Sequence, residues 1–220
     1  MNDPREGKPL MVLDLDHTLL DFNRKALEQP RGGAGGAAGD AQRDAEAMKR
    51  PHMDEFLTTV YRHYDLVVWS QTSWRWLETK LIELGMLTNR GYRFCFVLDK
   101  TSMFAVRSTR RDGTFRNHHV KPLQIIWSHY PDRWGPHNTV HLDDLSRNFA
   151  LNASSGLRVT RYFRKRRSRD TELVGLGRYL ETLATQEPPH NFASVDFGAW
   201  QDVVAGKKTL QDTLQDDDKK

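Results

Sequence analysis

Apolar residues along this chain fall into two kinds of pattern. Leu10 to Leu13 and Leu66 to Trp69 are unbroken apolar runs bounded by polar residues, as expected for short strands covered on both faces. Arg93 to Leu98, Thr139 to Leu142 and Gly156 to Tyr162 read as three further strands. Between them the apolar positions recur at helical spacing. Met53, Phe56, Leu57, Val60, Tyr61 and Tyr64 follow Pro51, a residue suited to the first turn of a helix. Trp74, Trp76, Leu77, Leu81 and Ile82 form a second stripe that stops at Gly85. Leu123, Ile126, Trp127 and Tyr130 form a third, and Thr171 to Ala184 an amphipathic last helix. Met103 to His119 reads as a hairpin insert turning at Asp112-Gly113. Alternating strands and helices predict an α/β fold: a doubly wound parallel sheet with a small hairpin insert and no large cap domain.

Two segments fall outside this pattern. Residues 22–48 carry a Gly/Ala-rich run from Gly32 to Gly39, which has little to bury and predicts a flexible surface loop. From 188 to 220 the chain reads as an irregular extension ending in a frayed charged tail from Gln211. Residues 1–187 thus form the expected domain.

In such folds ligands bind beyond the carboxyl ends of the strands, and three predicted strands end there in polar residues. The first ends in Asp14 and Asp16, the second in Ser70, and the later one in Asp143 and Asp144; Lys121 opens a helix on the same rim. Asp14 and Asp16, two apart, point to one side and repel unless a cation or a shared proton intervenes. That suggests a metal site, a catalytic pair, or a polar turn with capping aspartates. Each of the others has an ordinary reading too, as cap, solvated lysine or turn; their arrival at one rim favours chemistry. The acids are hard oxygen ligands without a cysteine or histidine set, which points to a Mg²⁺-like ion. With a serine and a lysine beside them they supply what phosphoryl transfer requires, positioning and charge neutralisation.

Composition narrows the setting. The chain has 220 residues, 38% apolar, and no apolar run near the length of a membrane span. Its single cysteine, Cys95, excludes an internal disulfide and reads as a buried structural thiol in a reducing compartment, nucleus or cytosol. The net charge of +4 is concentrated in two clusters. Arg107, Arg110, Arg111, Arg116, His118 and His119 form one, and Arg161 with Arg164 to Arg169 the other. They suit an acidic or phosphorylated partner, nucleic acid, or plain solvation. No nucleic-acid-binding motif accompanies them, so nucleic acid is disfavoured. The second cluster also resembles a nuclear-localisation signal.

Asp14-Leu15-Asp16-His17-Thr18, Ser70, Lys121 and Leu142-Asp143-Asp144 resemble, in this order, the four motifs of the haloacid-dehalogenase superfamily of aspartate-based phosphatases. Arg50 to Leu57, Val68 to Ser70, Phe96 to Asp99, Val120 to Leu123 and Asp143 to Phe149 narrow the resemblance. They are similar to the branch acting on the RNA polymerase II C-terminal domain, and most to its proteasome-directed members with a ubiquitin-like domain. A chain starting this close to Asp14 is expected to lack that domain.

The resemblance implies a Mg²⁺-dependent protein serine/threonine phosphatase. Asp14 would attack phosphorus and form an aspartyl-phosphate. Asp16 would protonate the departing oxygen and then deprotonate water. Thr18 and Ser70 would hold the Asp14 region and the phosphate oxygens, and Lys121 would offset charge on Asp14 and the transferring group. Mg²⁺ would be held by Asp14, by Asp16 through its carbonyl, and by Asp144, with Asp143 in or next to that set. Neither insert looks able to close a lid, so the expected substrate is a phosphorylated protein segment, the polymerase C-terminal domain or a proteasome subunit. A small-molecule phosphatase and a catalytically silent binding module are the alternatives.

Overall fold

The computed structural model describes residues 1–22, 37–109, 112–186 and 189–215. Strand β1 (Leu10–Leu13) is buried along its whole length, paired in parallel on its two edges with β2 (Asp65–Trp69) and β6 (Thr139–Asp143) and covered on both faces. Two more parallel strands, β3 (Phe94–Leu98) and β7 (Gly156–Arg158), complete a five-stranded sheet of order β3-β2-β1-β6-β7. The chain leaves β1 toward β2 and β3 and returns on the opposite side to β6 and β7. The order therefore reverses between β1 and β6, the position where such sheets open a crevice.

The alternation along each strand sends side chains to two cores. Met11, Leu13, Leu66 and Val68 meet the larger one. There lie α2 (Met53–Tyr61), α3 (Trp74–Glu83) and α5 (Glu172–Ala184), through Phe56, Leu57, Leu77, Leu81, Leu176 and Leu180. Leu10, Val12, Val67 and Trp69 meet the smaller one, against Ile126 of α4 (Gln124–His129) with Leu123 and Trp134. Helices on both faces make the sheet doubly wound, as the strand and helix pattern predicts. Gly85, at φ +68°, ends the α3 segment in the left-handed region that glycine adopts without penalty.

The expected hairpin is present as antiparallel β4 (Phe104–Thr109) and β5 (Phe115–Val120). Its turn holds Gly113 at φ +80°, with the Asp112 carboxylate accepting from the Thr114 N–H at 2.9 Å. Cys95 is partly buried, and burial with the nearby Asp65 charge pushes its thiol up to about 12.

Two expectations are corrected. The second half of the anticipated 22–48 loop is helical: α1 spans Ala37–Met48, in an alanine-rich stretch with high helix propensity. The Gly32–Gly36 run lies outside the described residues. The extension after 188 is packed rather than frayed as far as Gln215. Phe192, Val195, Phe197 and Trp200 join the larger core, the last opening α6 (Trp200–Val204). Val195 bridges Leu214, and the Gln215 N–H donates to the Ser194 carbonyl at 2.7 Å.

Candidate active site

The Asp14 N–H donates to the Leu142 carbonyl at 2.9 Å, so β1 stays in register with β6 one residue past its end. This holds Asp14 beside Asp143 at the point where the strand order reverses. Lys121, between β5 and α4, is fully buried and reaches both. Its ammonium donates to Asp14 Oδ1 at 2.6 Å and to Asp143 Oδ2 at 2.7 Å. Burial alone would strip its charge, but the two carboxylates hold the Lys121 pKa above the ordinary lysine value.

Adjacent residues Asp143 and Asp144 meet different surroundings. Asp143 Oδ2 also accepts from Asn148 Nδ2 at 2.7 Å, and Oδ1 accepts from the Leu145 N–H at 2.9 Å. Burial pushes Asp143 up, but Lys121 and its hydrogen bonds prevail and bring the group below the usual carboxylate range. His141, buried at 3.7 Å from Asp143 Oδ2, is driven down to about 3 by burial and the Lys121 charge, and so stays neutral. Asp144 Oδ2 is buried without a hydrogen bond, its nearest cation being Arg161 Nε at 3.5 Å. Burial and the neighbouring Asp143 raise its carboxyl.

Asp14, Asp143 and Asp144 each present an oxygen within 4.8 Å of the others. Three carboxylates against one ammonium leave excess negative charge in a buried place. Burial, opposed by Lys121 and reinforced by Asp143, pushes Asp14 up to about 7. The Asp144 oxygen that accepts no hydrogen bond and the all-oxygen donor set fit a hard divalent cation.

Asp16 sits in a tight turn that continues through His17 at φ +64°. Its side chain is half exposed, outside the three-carboxylate cluster, with His17 Nε2 at 4.0 Å. Partial burial raises the Asp16 carboxyl above the usual range, with Asp21 adding to the effect and His17 and Arg161 opposing it. Thr18 is fully buried and its hydroxyl accepts from the Asp144 N–H at 3.1 Å. Thr18 thus ties the β1 turn to the β6 exit. Ser70 follows β2 with its N–H on the Leu98 carbonyl at 3.0 Å, and its hydroxyl pairs with Thr72 at 2.9 Å.

Sequence reasoning missed three residues here. Asn148 orients Asp143. Arg161 approaches Asp144. Arg50 is buried with hydrogen bonds to the Thr18 carbonyl, Asp170 and Glu172. Asn148 and Arg50 lie inside motif stretches already singled out, so their position was the available signal; their partners are remote in sequence.

The pattern of the NLI interacting factor-like phosphatase family matches residues 9–190. Ubiquitin-like domain-containing CTD phosphatase 1 of Xenopus laevis is 35% identical over 210 residues, covering 94% of this chain and 59% of the relative. Its namesake in Xenopus tropicalis is 38% identical over 186 residues, covering 84% and 52%. This chain therefore spans between half and three-fifths of the length of these relatives. Fcp1, described as an essential RNA polymerase II CTD phosphatase, aligns with a TM-score of 0.47 at 12% identity, over 93% of this chain and 64% of that one. The family match runs from ahead of β1 to beyond α5 and takes in all the residues gathered at the sheet's reversal point, so this chain belongs to the NLI interacting factor-like phosphatase family.

Proposed function

We propose that this chain is a protein serine/threonine phosphatase working through an aspartyl-phosphate on Asp14. The observation that carries the reading is the buried Lys121 ammonium bridging Asp14 and Asp143 beside an Asp144 oxygen that accepts no hydrogen bond. Lys121 engages Oδ1 of Asp14, leaving Oδ2 to attack phosphorus. Asp16, half exposed and with a raised pKa, is able to carry a proton to the departing serine or threonine oxygen. It then takes one from the water that releases phosphate. Thr18 and Asn148 hold Asp144 and Asp143 in place, and Ser70 stands at the neighbouring strand end as a donor to phosphate oxygens. Asp14, Asp144 and the Asp16 carbonyl would hold Mg²⁺, with Asp143 anchoring Lys121 behind them. Bound there, the ion supplies charge neutralisation for the transferring phosphoryl group.

The substrate we favour is a phosphorylated protein segment. Among the described residues the insert at the rim is the β4–β5 hairpin rather than a closing domain, and the relatives are named CTD phosphatases. The polymerase C-terminal domain is the first candidate. Proteasome subunits are the second, on the motif resemblance alone. Both imply a nuclear or cytosolic setting.

The test is hydrolysis of p-nitrophenyl phosphate and of a phosphoserine peptide. Activity should vanish in EDTA, return with Mg²⁺, and be absent from Asp14→Asn. Asp16→Asn should lose about 100- to 10,000-fold on the peptide and less on the activated ester, whose leaving group needs no proton. Undiminished turnover by Asp14→Asn would end this mechanism.

A further inference from the structure

The basic run that follows β7 is fixed in place. Tyr162 is buried; its N–H donates to the His17 carbonyl at 2.7 Å and its own carbonyl meets His17 Nδ1 at 2.9 Å. Arg164 to Arg169 form a short 3₁₀ turn. At its start the Arg164 N–H donates to Asp21 at 2.9 Å. Farther along, the Arg167 guanidinium donates to the carbonyls of Glu46 and Lys49, and beyond the turn Asp170 is held by Arg50.

Lys165, Arg166 and Arg169 are nevertheless exposed and have no acidic partner among the described residues. They line a cleft of about 590 Å³ together with Asp170 and Glu172. Those two carboxylates are already engaged by the buried Arg50, so the cleft keeps its positive charge. A loose loop would relieve such repulsion by splaying its side chains apart. This turn is pinned, and the three cations share a short element that suits an anion.

Its location ties it to the reaction. The Phe163 ring lies 5.0 Å from His17, the residue after Asp16. Arg161 and Lys165 stand over the same ring at 5.4 and 5.8 Å, and Arg161 reaches Asp144. The turn therefore leads away from the site on one side. At roughly 2 Å per residue it runs about 12 Å, the length of about four extended peptide residues. Single-stranded nucleic acid would need open aromatic faces for its bases, and Phe163 is half-buried among His17 and two cations.

We infer that Lys165, Arg166 and Arg169 form a docking subsite for an anionic stretch of the substrate, lying a few residues to one side of the phosphate being removed. This rests on the phosphatase reading. The anion is either a run of carboxylates or a second phosphate.

The experiment compares a neutral phosphoserine peptide with versions carrying three aspartates, or one further phosphoserine, on its N-terminal or its C-terminal side. One exposed ion pair changes binding by about 1.5- to 5-fold, so three together should favour the anionic peptide by about tenfold in kcat/KM at low salt. The preference should appear on one side only, act through KM, fade near ~0.5 M salt, and collapse in Lys165→Glu/Arg166→Glu/Arg169→Glu. Single alanine variants, each losing part of it, serve where the triple variant misfolds. The aspartate and phosphoserine arms show which anion is read. A turning-over enzyme without the preference, or a triple variant that keeps it, overturns the inference. So does a single-stranded oligonucleotide that outcompetes the anionic peptide at these residues. Fluorescence anisotropy of labelled anionic peptide reads the subsite without turnover. A protein that binds the peptide through these residues yet hydrolyses nothing would sink the phosphatase reading and leave the subsite standing.

Discussion

Replacing Arg50 by methionine keeps most of the stem's volume and removes a guanidinium that joins four separate places. Its Nε donates to the Asp170 carboxylate at 3.1 and 3.2 Å, Nη1 to the carbonyls of Thr18 and Thr160 at 3.1 Å each, and Nη2 to Glu172 at 2.9 Å. The Arg50 side chain is fully buried, and those of Asp170 and Glu172 are 11% and 16% exposed. Hydrogen bonds to charged groups contribute about 1.5–3 kcal/mol each, so two carboxylates losing their cation give a range of about 3–6 kcal/mol. The residual exposure admits some water and favours the lower end. We expect Arg50→Met to destabilise the fold by about 3–4 kcal/mol, the usual cost of breaking a buried ion pair from one side. For a chain of this length that lowers Tm by about 6–16 °C. Arg50→Lys should recover little, since one ammonium cannot span this fork of partners. Urea unfolding measures the loss, and adding Asp170→Asn and Glu172→Gln to Arg50→Met should return part of it. A loss below about 1 kcal/mol, or full rescue by lysine, would refute the account.

Three further outcomes follow from the same geometry. Burial and the Asp143 charge push Asp14 up to about 7 despite Lys121, so its ionisation costs the folded state. Its favourable contribution is complete below about pH 4 and lost as pH rises through 7. In EDTA, Asp14→Asn should therefore unfold at a higher temperature than the wild type at pH 8, with the margin closing toward pH 4; a margin that widens in acid refutes this. Thr18→Val leaves the buried Asp144 N–H without its acceptor and should cost about 1–3 kcal/mol in urea unfolding, with Thr18→Ser restoring most of it. Gly156→Ala would set a Cβ 2.4 Å from the Phe149 ring. Overpacking of that kind costs about 1–3 kcal/mol, and Phe149→Leu beside it should recover part of the loss.

The central strands were legible because both of their faces are covered: an unbroken run such as Leu10 to Leu13 has no other use in a chain this polar. The stripes of α2 and α5 were legible because their partners lie along one helical face. The end of the chain was opaque for the opposite reason. Phe192, Val195, Phe197 and Trp200 follow neither a helical nor a strand period. They reach the core through short 3₁₀ turns held by contacts with Thr213, Leu214 and Gln215. Helix α1 was hidden by Gly39 and the glycine run that precedes it in the sequence, and among its described side chains Ala45 and Met48 are those that meet the core.

At the site, the sequence supplied residue types and their rim but could not separate identical neighbours. Asp143 and Asp144 differ only in which side of the β6 exit each one faces, and strand alternation sends consecutive side chains to opposite sides. One therefore meets Lys121 and Asn148 and has donors on both of its oxygens. The other keeps a buried oxygen without a hydrogen bond. That asymmetry gives the excess negative charge a direction. Lys121 balances it on one side of Asp14, and Asp144 leaves it unbalanced on the other. The charge left over lies on the Asp144 side, where the half-exposed Arg161 offsets only part of it. The electrostatic cost of gathering three carboxylates thus falls where a divalent cation would relieve it, and that cation would in turn offset the charge of a phosphoryl group brought against the same acids.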